Sequence, residues 1–287
     1  MIYCFFSGWR FLLRVLFLDD SFDPGRLQLR ITVLGSGSSG NSTLLEVNGS
    51  GILVDAGFSC RELERRMRLV DFEPEKIKAI LVTHEHTDHI KGVEVFSKKH
   101  RVPVYLSEGT RESGLLDEYK TWLEPFETGN AFSINGFDIH PFRIAHDAAD
   151  PVGFVIRASG TAVGIGTDLG YVTRLIEEKF AGLDLLVFES NHDPEMLING
   201  PYPWVLKQRI SSRNGHLSNP EAADFIKSSI TERTRHILLA HLSRTNNTPS
   251  LAMSACKAAL MEAGNNTTKL HMTDQFQSSS MIDLEVE

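Results

Sequence analysis

Apolar positions along the chain come in short runs broken by clusters of Gly, Ser, Asn and Pro, and the runs switch between strand-like and helix-like spacing. Residues 31–34 predict a strand that runs into a tight Gly/Ser loop at 35–41. Residues 44–47 and 52–55 predict a hairpin closed across Asn48-Gly49-Ser50-Gly51. Ser59 offers a helix N-cap, Glu62 three residues on completes the pattern of a capping box, and Leu63, Met67 and Val70 give that helix an apolar stripe. Residues 79–82 are a short apolar run consistent with a buried strand. A helix carrying Val93 and Phe96 and ending in Lys98-Lys99 follows, and 102–106 predict the next strand. Further strands are expected at 137–142, 152–156, 162–165, 183–188, 237–240 and 270–273, with helices at 171–181, 220–230 and 249–263. The second of these helices reads as capped by Asn219 with Pro220 at its first position. The third reads as capped by Thr248, opened by Pro249 and stopped at Gly264. Strand-rich halves, each followed by helices and joined without a linker, predict one α/β domain with two sheets and outer helices.

A length of 287 residues suits one large domain or two small ones. Residues 29–276 are expected to form the domain, 1–28 an extension and 277–287 a loose tail. The start of the chain is apolar but interrupted by Arg10 and Arg14. It fits a signal peptide poorly, and its uninterrupted stretches are too short to span a bilayer. It is expected to be a poorly ordered extension, as from a start codon placed too far upstream, with packing on the domain or on a membrane surface as the alternative. Cys4, Cys60 and Cys256 are odd in number and far apart, which argues against a disulfide framework and for reduced thiols in a cytoplasmic protein. No membrane partner is expected, and homo-oligomerisation stays open. The net charge of −8 gives no overall basic field to attract nucleic acid. A local basic groove or bound divalent cations can still reverse the sign at a site.

The chemistry concentrates in Thr83-His84-Glu85-His86-Thr87-Asp88-His89, directly after a buried strand. Imidazole and carboxylate ligands suit zinc, and also manganese or iron. Four such ligands within six residues exceed what a single open tetrahedral ion can use, so the cluster predicts two divalent ions. Glu85, between two ligands, reads as an outward bystander.

With these residues the chain resembles the metallo-β-lactamase superfamily, whose hydrolases share an αβ/βα sandwich: two mixed β-sheets packed face to face, helices outside, a two-metal site at one edge. The resemblance covers roughly residues 29–275. It implies that His84, His86 and His146 hold one metal, that Asp88, His89 and His241 hold the other, and that Asp168 bridges them. Asp55 would stand behind the ligands and orient them. His100, His140, His236 and His271 match no motif position and read as structural.

Three later segments narrow the reaction. An acid in Phe188-Glu189-Ser190-Asn191-His192-Asp193, then Gly215-His216-Leu217-Ser218, then Leu239-Ala240-His241 resemble the order in tRNA 3′-processing phosphodiesterases. That resemblance makes His216 a candidate general acid supported by Glu189, with Asp88 completing the candidate catalytic set. The two ions would polarise the phosphoryl group and yield a bridging hydroxide as nucleophile. His192 either joins the site from behind or anchors its loop. The loop at 36–41 reads as a turn between strands rather than a nucleotide cradle. Lys207, Arg209 and Arg213 are candidate phosphate contacts, whereas Arg61, Arg65, Arg66 and Arg68 on one helix read as a solvated face. The segments LGSGSSGNS, VDAG, THEHTDHIKG, HDAADPVGF, GTDLG, FESNHD, GHLSN and LAHLS together resemble the YycJ/WalJ branch, which implies 5′-to-3′ exonuclease activity on DNA. There is no long insertion between Asp168 and His241. The alternatives are a small-molecule hydrolase acting on a cyclic phosphodiester, lactone or thioester, and a non-enzymatic metal-binding protein.

Overall fold

The computed structural model describes residues 28–116 and 121–284. The expected N-terminal extension, Cys4 with it, lies outside them apart from residue 28. The first half runs β1 (Leu29–Gly35), β2 (Ser42–Val47), β3 (Ser50–Val54), α1 (Cys60–Leu69), β4 (Ile77–Leu81), α2 (Thr87–Ile90), α3 (Val93–His100), β5 (Val104–Ser107), α4 (Glu108–Glu112) and β6 (Leu123–Phe126). The second runs β7 (Phe132–Ile134), β8 (Phe137–Arg143), β9 (Val152–Ala158), β10 (Thr161–Gly166), α5 (Arg174–Phe180), β11 (Leu185–Glu189), α6 (Pro194–Asn199), α7 (Trp204–Ile210), α8 (Asn219–Ser229), β12 (His236–Ala240), α9 (Pro249–Glu262) and β13 (Lys269–Met272). β14 (Ile282–Leu284) then returns to the first sheet. The sheet orders are β14-β1-β2-β3-β4-β5-β6 and β7 through β13 in sequence. Each sheet is mixed: antiparallel from β14 to β3 and from β7 to β10, parallel from β3 to β6 and from β10 to β13.

Strand alternation builds the layers. Successive side chains of a strand point to opposite faces. Leu29, Ile31 and Val33 of β1, Ile52 and Val54 of β3, and Leu238 and Ala240 of β12 meet in a central core between the sheets. Leu53 and Ile80 face outward beneath α1 and α3 with Leu63, Met67 and Phe96. Ile237 and Leu239 face outward beneath α5, α8 and α9 with Phe180, Phe225 and Cys256. Both faces of each sheet are thereby covered, which explains why the inner strands read as continuous apolar runs. The arrangement is the αβ/βα sandwich.

Several local expectations change. Residues 277–284 are not a loose tail: Ser279 exchanges hydrogen bonds with Val33, and Ile282 and Leu284 enter the central core on either side of exposed Asp283, covering the edge of β1. Ser218, not Asn219, caps α8 in a full capping box with Glu221, because the Asn219 side chain is engaged with Ser190 and Asn247. The Ser59 cap exists, but Glu62 turns away from it to Arg65 and Arg66, so no box forms. α5 opens at Arg174 rather than 171, where the Thr173 side chain caps it. Among the described residues no helix is long and apolar enough to cross a membrane.

Candidate metal centre

The C-terminal ends of six strands deliver the site. Asp55 follows β3, the His84–His89 turn follows β4, His146 follows β8, Asp168 follows β10, Glu189 ends β11 and His241 follows β12. Such strand ends are where α/β sheets gather their ligand-binding groups. Three of these residues turn through the left-handed region: Asp55 at φ 63°, Asp168 at 60° and His241 at 56°. That conformation costs an L-residue roughly 1–2 kcal/mol and is tolerated best by Asp, Asn and His. Each kink swings a side chain off the sheet face toward the common point. Gly57 fits the same logic, since a Cβ there would lie 1.6 Å from the Asp88 carbonyl oxygen. Only glycine lets the strand-end loop press against the ligand turn.

The predicted ligands come together in overlapping groups whose ligand atoms lie within 4.8 Å of one another: His84, His86 and His146; Asp88, His89 and His241; and His84, His89 and Asp168. The Asp168 carboxylate joins the sets, with one oxygen 3.2 Å from His89 Nε2 and the other 3.8 Å from His146 Nε2. The outer ring nitrogens are occupied from behind. His89 Nδ1 is 2.7 Å from Asp55, His241 Nδ1 is 3.0 Å from Glu189, His84 Nδ1 is 3.0 Å from the Thr83 hydroxyl, and His146 Nδ1 is 3.1 Å from the Gly215 carbonyl. A carbonyl or carboxylate accepts only, so the Nδ1 atoms of His89, His146 and His241 carry the hydrogen, which makes Nε2 the atom each would offer to a metal. His86 alone is turned the other way, its Nδ1 3.3 Å from His146 Nε2.

Divalent metal ions fit this donor set. His84 Nε2, His241 Nε2 and Asp168 Oδ2 are buried without a hydrogen-bond partner among the described residues. A native fold rarely leaves such atoms unsatisfied unless a ligand satisfies them. Burial holds His84 well below its ordinary pKa. Burial also opposes charge on His89 and His241, but Asp55 and Asp168 lift the first, and Asp168, Asp88 and Glu189 lift the second, well above the ordinary value. Asp168 is held well below the usual carboxylate range: burial works against its charge, and His241 and His89 outweigh it. The carboxylates of Asp55, Asp88, Asp168 and Glu189 make the site cation-seeking.

Glu189 is fully buried and does more than the sequence suggests. One oxygen accepts from His216 Nδ1 at 2.8 Å and from His241 Nδ1 at 3.0 Å; the other accepts the backbone N–H groups of Leu169 at 2.5 Å and Leu217 at 3.4 Å. Its lone pairs are spent, so it orients two histidines rather than ligating. His216 lies 3.6 Å from Asp168, at the wall of a cleft of about 190 Å³ that Ser38, Asp147, Asn191, Tyr202 and Arg209 also line. Burial disfavours charge on His216, yet the Glu189 carboxylate raises its pKa above the ordinary histidine value.

Other predicted residues separate. The His192 side chain is buried, its Nδ1 has no hydrogen-bond partner among the described residues, and its backbone carbonyl accepts from Asn219 at 2.8 Å, which anchors the loop. Arg209 reaches the cleft paired with Asp147, Arg213 stacks on Tyr171 at 4.1 Å, and Lys207 lies one helical face away. Arg66 is buried and donates to the Leu34 and Gln275 carbonyls, while Arg65 and Arg68 pair with acids. Glu85 is no bystander: it accepts the Ala149 N–H at 2.7 Å and so ties down the His146 loop. The loop at 36–41 is more than a turn. Asn41 donates to Asp88 at 3.2 Å and lies 3.1 Å from His89 Nε2, and Ser36 accepts the His241 N–H at 2.9 Å. Its unusual Gly/Ser density and terminal Asn were the available signal. A separate trio, Cys60, Glu64 and His100, forms a partly buried polar network in which Glu64 already accepts from Lys99 at 2.6 Å and from Cys60 and lies 2.8 Å from His100.

A family model described as a beta-lactamase superfamily domain matches residues 51–241. The chain belongs to the metallo-β-lactamase superfamily, in the branch of YycJ and WalJ, and is a metal-dependent hydrolase. It is 36% identical over 254 residues to the exodeoxyribonuclease YycJ of Bacillus anthracis, covering 86% of this chain and 96% of that one. It is 37% identical over 230 residues to the exodeoxyribonuclease WalJ of Streptococcus pneumoniae, covering 78% and 85%. Among solved structures, the metallo-β-lactamase fold protein YhfI from Bacillus subtilis superposes with a TM-score of 0.69 at 17% identity, over 90% of this chain and all of that one. The short form of human tRNase Z superposes at 0.60 and 17%, over 88% and 98%. At that identity these two structures speak to the fold alone.

Proposed function

We propose that this protein is a dinuclear-metal-dependent phosphodiesterase that degrades DNA exonucleolytically from 5′ to 3′. The observation that carries the reading is the buried Glu189 holding His216 at 2.8 Å beside the metal-ligand cluster. A histidine outside the ligand set, fixed by a carboxylate and open to the cleft, is what a reaction with a poor leaving group needs. The names of the YycJ and WalJ relatives, both exodeoxyribonucleases, support the substrate and mode.

In this reading His84, His86 and His146 hold one divalent ion, Asp88, His89 and His241 the other, and Asp168 both. Zinc suits the donors first, and manganese or iron next. The ions, when bound, polarise the phosphoryl oxygens and make a water nucleophilic near neutral pH. The chain's own groups do the rest. Asp55, Thr83 and Glu189 fix the ring orientations. Asp88 serves on the attacking side, steadied by Asn41. Glu189 accepts the His216 Nδ1 hydrogen, which leaves His216 Nε2 to deliver a proton to the departing sugar oxygen. Arg209 at the cleft offers its guanidinium to a phosphate in exchange for Asp147.

Incubating chelator-stripped, manganese- or zinc-reloaded protein with 5′-labelled DNA tests the proposal. Expected is release of the label as a mononucleotide in the first cut, without labelled intermediates of shorter length, lost in Asp168→Ala. No release by protein carrying its full metal complement contradicts it. Turnover of bis(p-nitrophenyl) phosphate without action on any polynucleotide would favour a small-molecule phosphodiesterase instead.

A further inference from the structure

α7 stands between two cavities. Leu206, Arg209 and Ile210 face the metal-side cleft with His216, whereas Trp204, Lys207 and Gln208 face a second cavity of about 190 Å³ against α6. The helix contributes nothing to the core, for none of its residues is buried. It nevertheless keeps Trp204 65% and Val205 77% exposed, beside Ile198 at 58%. Apolar side chains clustered on a helix that supports no core mark a binding surface. The second cavity is mostly apolar, with His192 and Leu197 in its wall. His192 is 3% exposed and its Nδ1 has no hydrogen-bond partner among the described residues. Lys207 donates to the Ile198 carbonyl at 2.6 Å and has no carboxylate partner among the described residues, so its charge is uncompensated.

We infer that this second cavity is a nucleobase subsite, in which Trp204 stacks on a base next to the scissile nucleotide while Lys207 meets the adjoining phosphate. The inference rests on the nuclease reading above and adds where the strand runs. Its volume is below the about 300–1,000 Å³ that encloses a drug-sized ligand, so it takes one flat ring rather than a whole nucleotide. An aromatic face with a neighbouring cation is the usual platform for single-stranded nucleic acid. The position fits as well: Asn191 borders the metal-side cleft and the adjacent His192 borders the second cavity, so both belong to one loop. Lys207, Arg209 and Arg213 also give this segment a basic character that the chain as a whole lacks. A base can enter only if unpaired, so the substrate must be single-stranded there.

The test compares wild type, Trp204→Ala and Trp204→Phe on a single-stranded oligodeoxynucleotide, on the same oligonucleotide with one abasic site next to the scissile position, and on bis(p-nitrophenyl) phosphate. Loss of one base–aromatic stack corresponds to a roughly 5- to 150-fold change. Expected is a rise in KM for the oligonucleotide that exceeds any loss on the small ester by that factor, recovery in Trp204→Phe, and no further loss when Trp204→Ala meets the abasic substrate. An unchanged KM, or independent losses from the variant and the abasic site, would overturn the subsite and leave the nuclease reading standing. A dimer-to-monomer shift of Trp204→Ala on size exclusion, with unchanged KM, would assign the patch to a second copy of the chain. Wild type active on the ester but on no oligonucleotide would overturn both readings.

Discussion

At the residue scale, the division of labour at the site follows from which lone pairs are already spent. Glu189 has both oxygens occupied, and His216 has Nδ1 committed to it, so only His216 Nε2 remains to move a proton. His216→Asn should therefore lower turnover of DNA by about 10²–10⁴-fold with metal content unchanged. The same variant should lose far less on bis(p-nitrophenyl) phosphate, whose leaving group departs without protonation. An equal loss on both substrates would assign His216 to binding or ligation instead. The residues hidden from the sequence here are those whose role is set by backbone geometry. The spacing of His84, His86, Asp88 and His89 is legible as a metal motif. The left-handed turns at Asp55, Asp168 and His241, and the reach of Asn41 from a distant loop, depend on how separate strands converge.

At the element scale, β12 and β13 carry a pair of histidines remote from the metals. His236 Nδ1 and His271 Nε2 lie 2.9 Å apart. Burial, reinforced by the charge on His271, holds His236 down at about 4. An unfolded histidine titrates near 6.5. Between those values the unfolded chain binds a proton that the fold does not, so the contribution of His236 is complete above about pH 6.5 and is lost as pH falls toward 4. Thermal melts should show Tm falling from pH 7 to pH 5, and falling less in His236→Gln. Identical slopes would remove His236 from the account. The elements legible in the sequence are those with a long apolar signature, such as β1, β12 and α9. α6 and α7 are invisible for the opposite reason: they line a cleft, bury little, and follow polar or Pro/Gly-containing stretches. Asn219 reads as a cap by residue type, but the hydrogen bonds of its side chain lie elsewhere.

At the scale of the whole molecule, the two sheets share one core and the chain must close it from its C-terminal end. Ile282 and Leu284 are the last residues of that core, on the exposed edge of β1. Burying each is worth about 1.5–3 kcal/mol. Removing residues 281–287 should then lower Tm by roughly 6–24 °C, from the stability lost and the usual slope for a domain of this size. A melt within about 2 °C of the full chain would show the strand to be dispensable. The αβ/βα architecture itself was legible, because two strand-rich halves with outer helices leave few ways to cover both sheet faces. The closing strand was not, since three residues after a serine run carry too little periodicity.

We propose that the two overlapping ligand sets, joined by Asp168, hold a pair of ions that together support phosphodiester hydrolysis. Titrating chelator-stripped protein with manganese or zinc while following both bound metal and DNA cleavage tests it most directly. Activity is expected to return in step with a second bound ion per chain, and Asp168→Ala is expected neither to retain two ions nor to regain activity. Full activity with a single bound ion, or in the stripped protein, would contradict it.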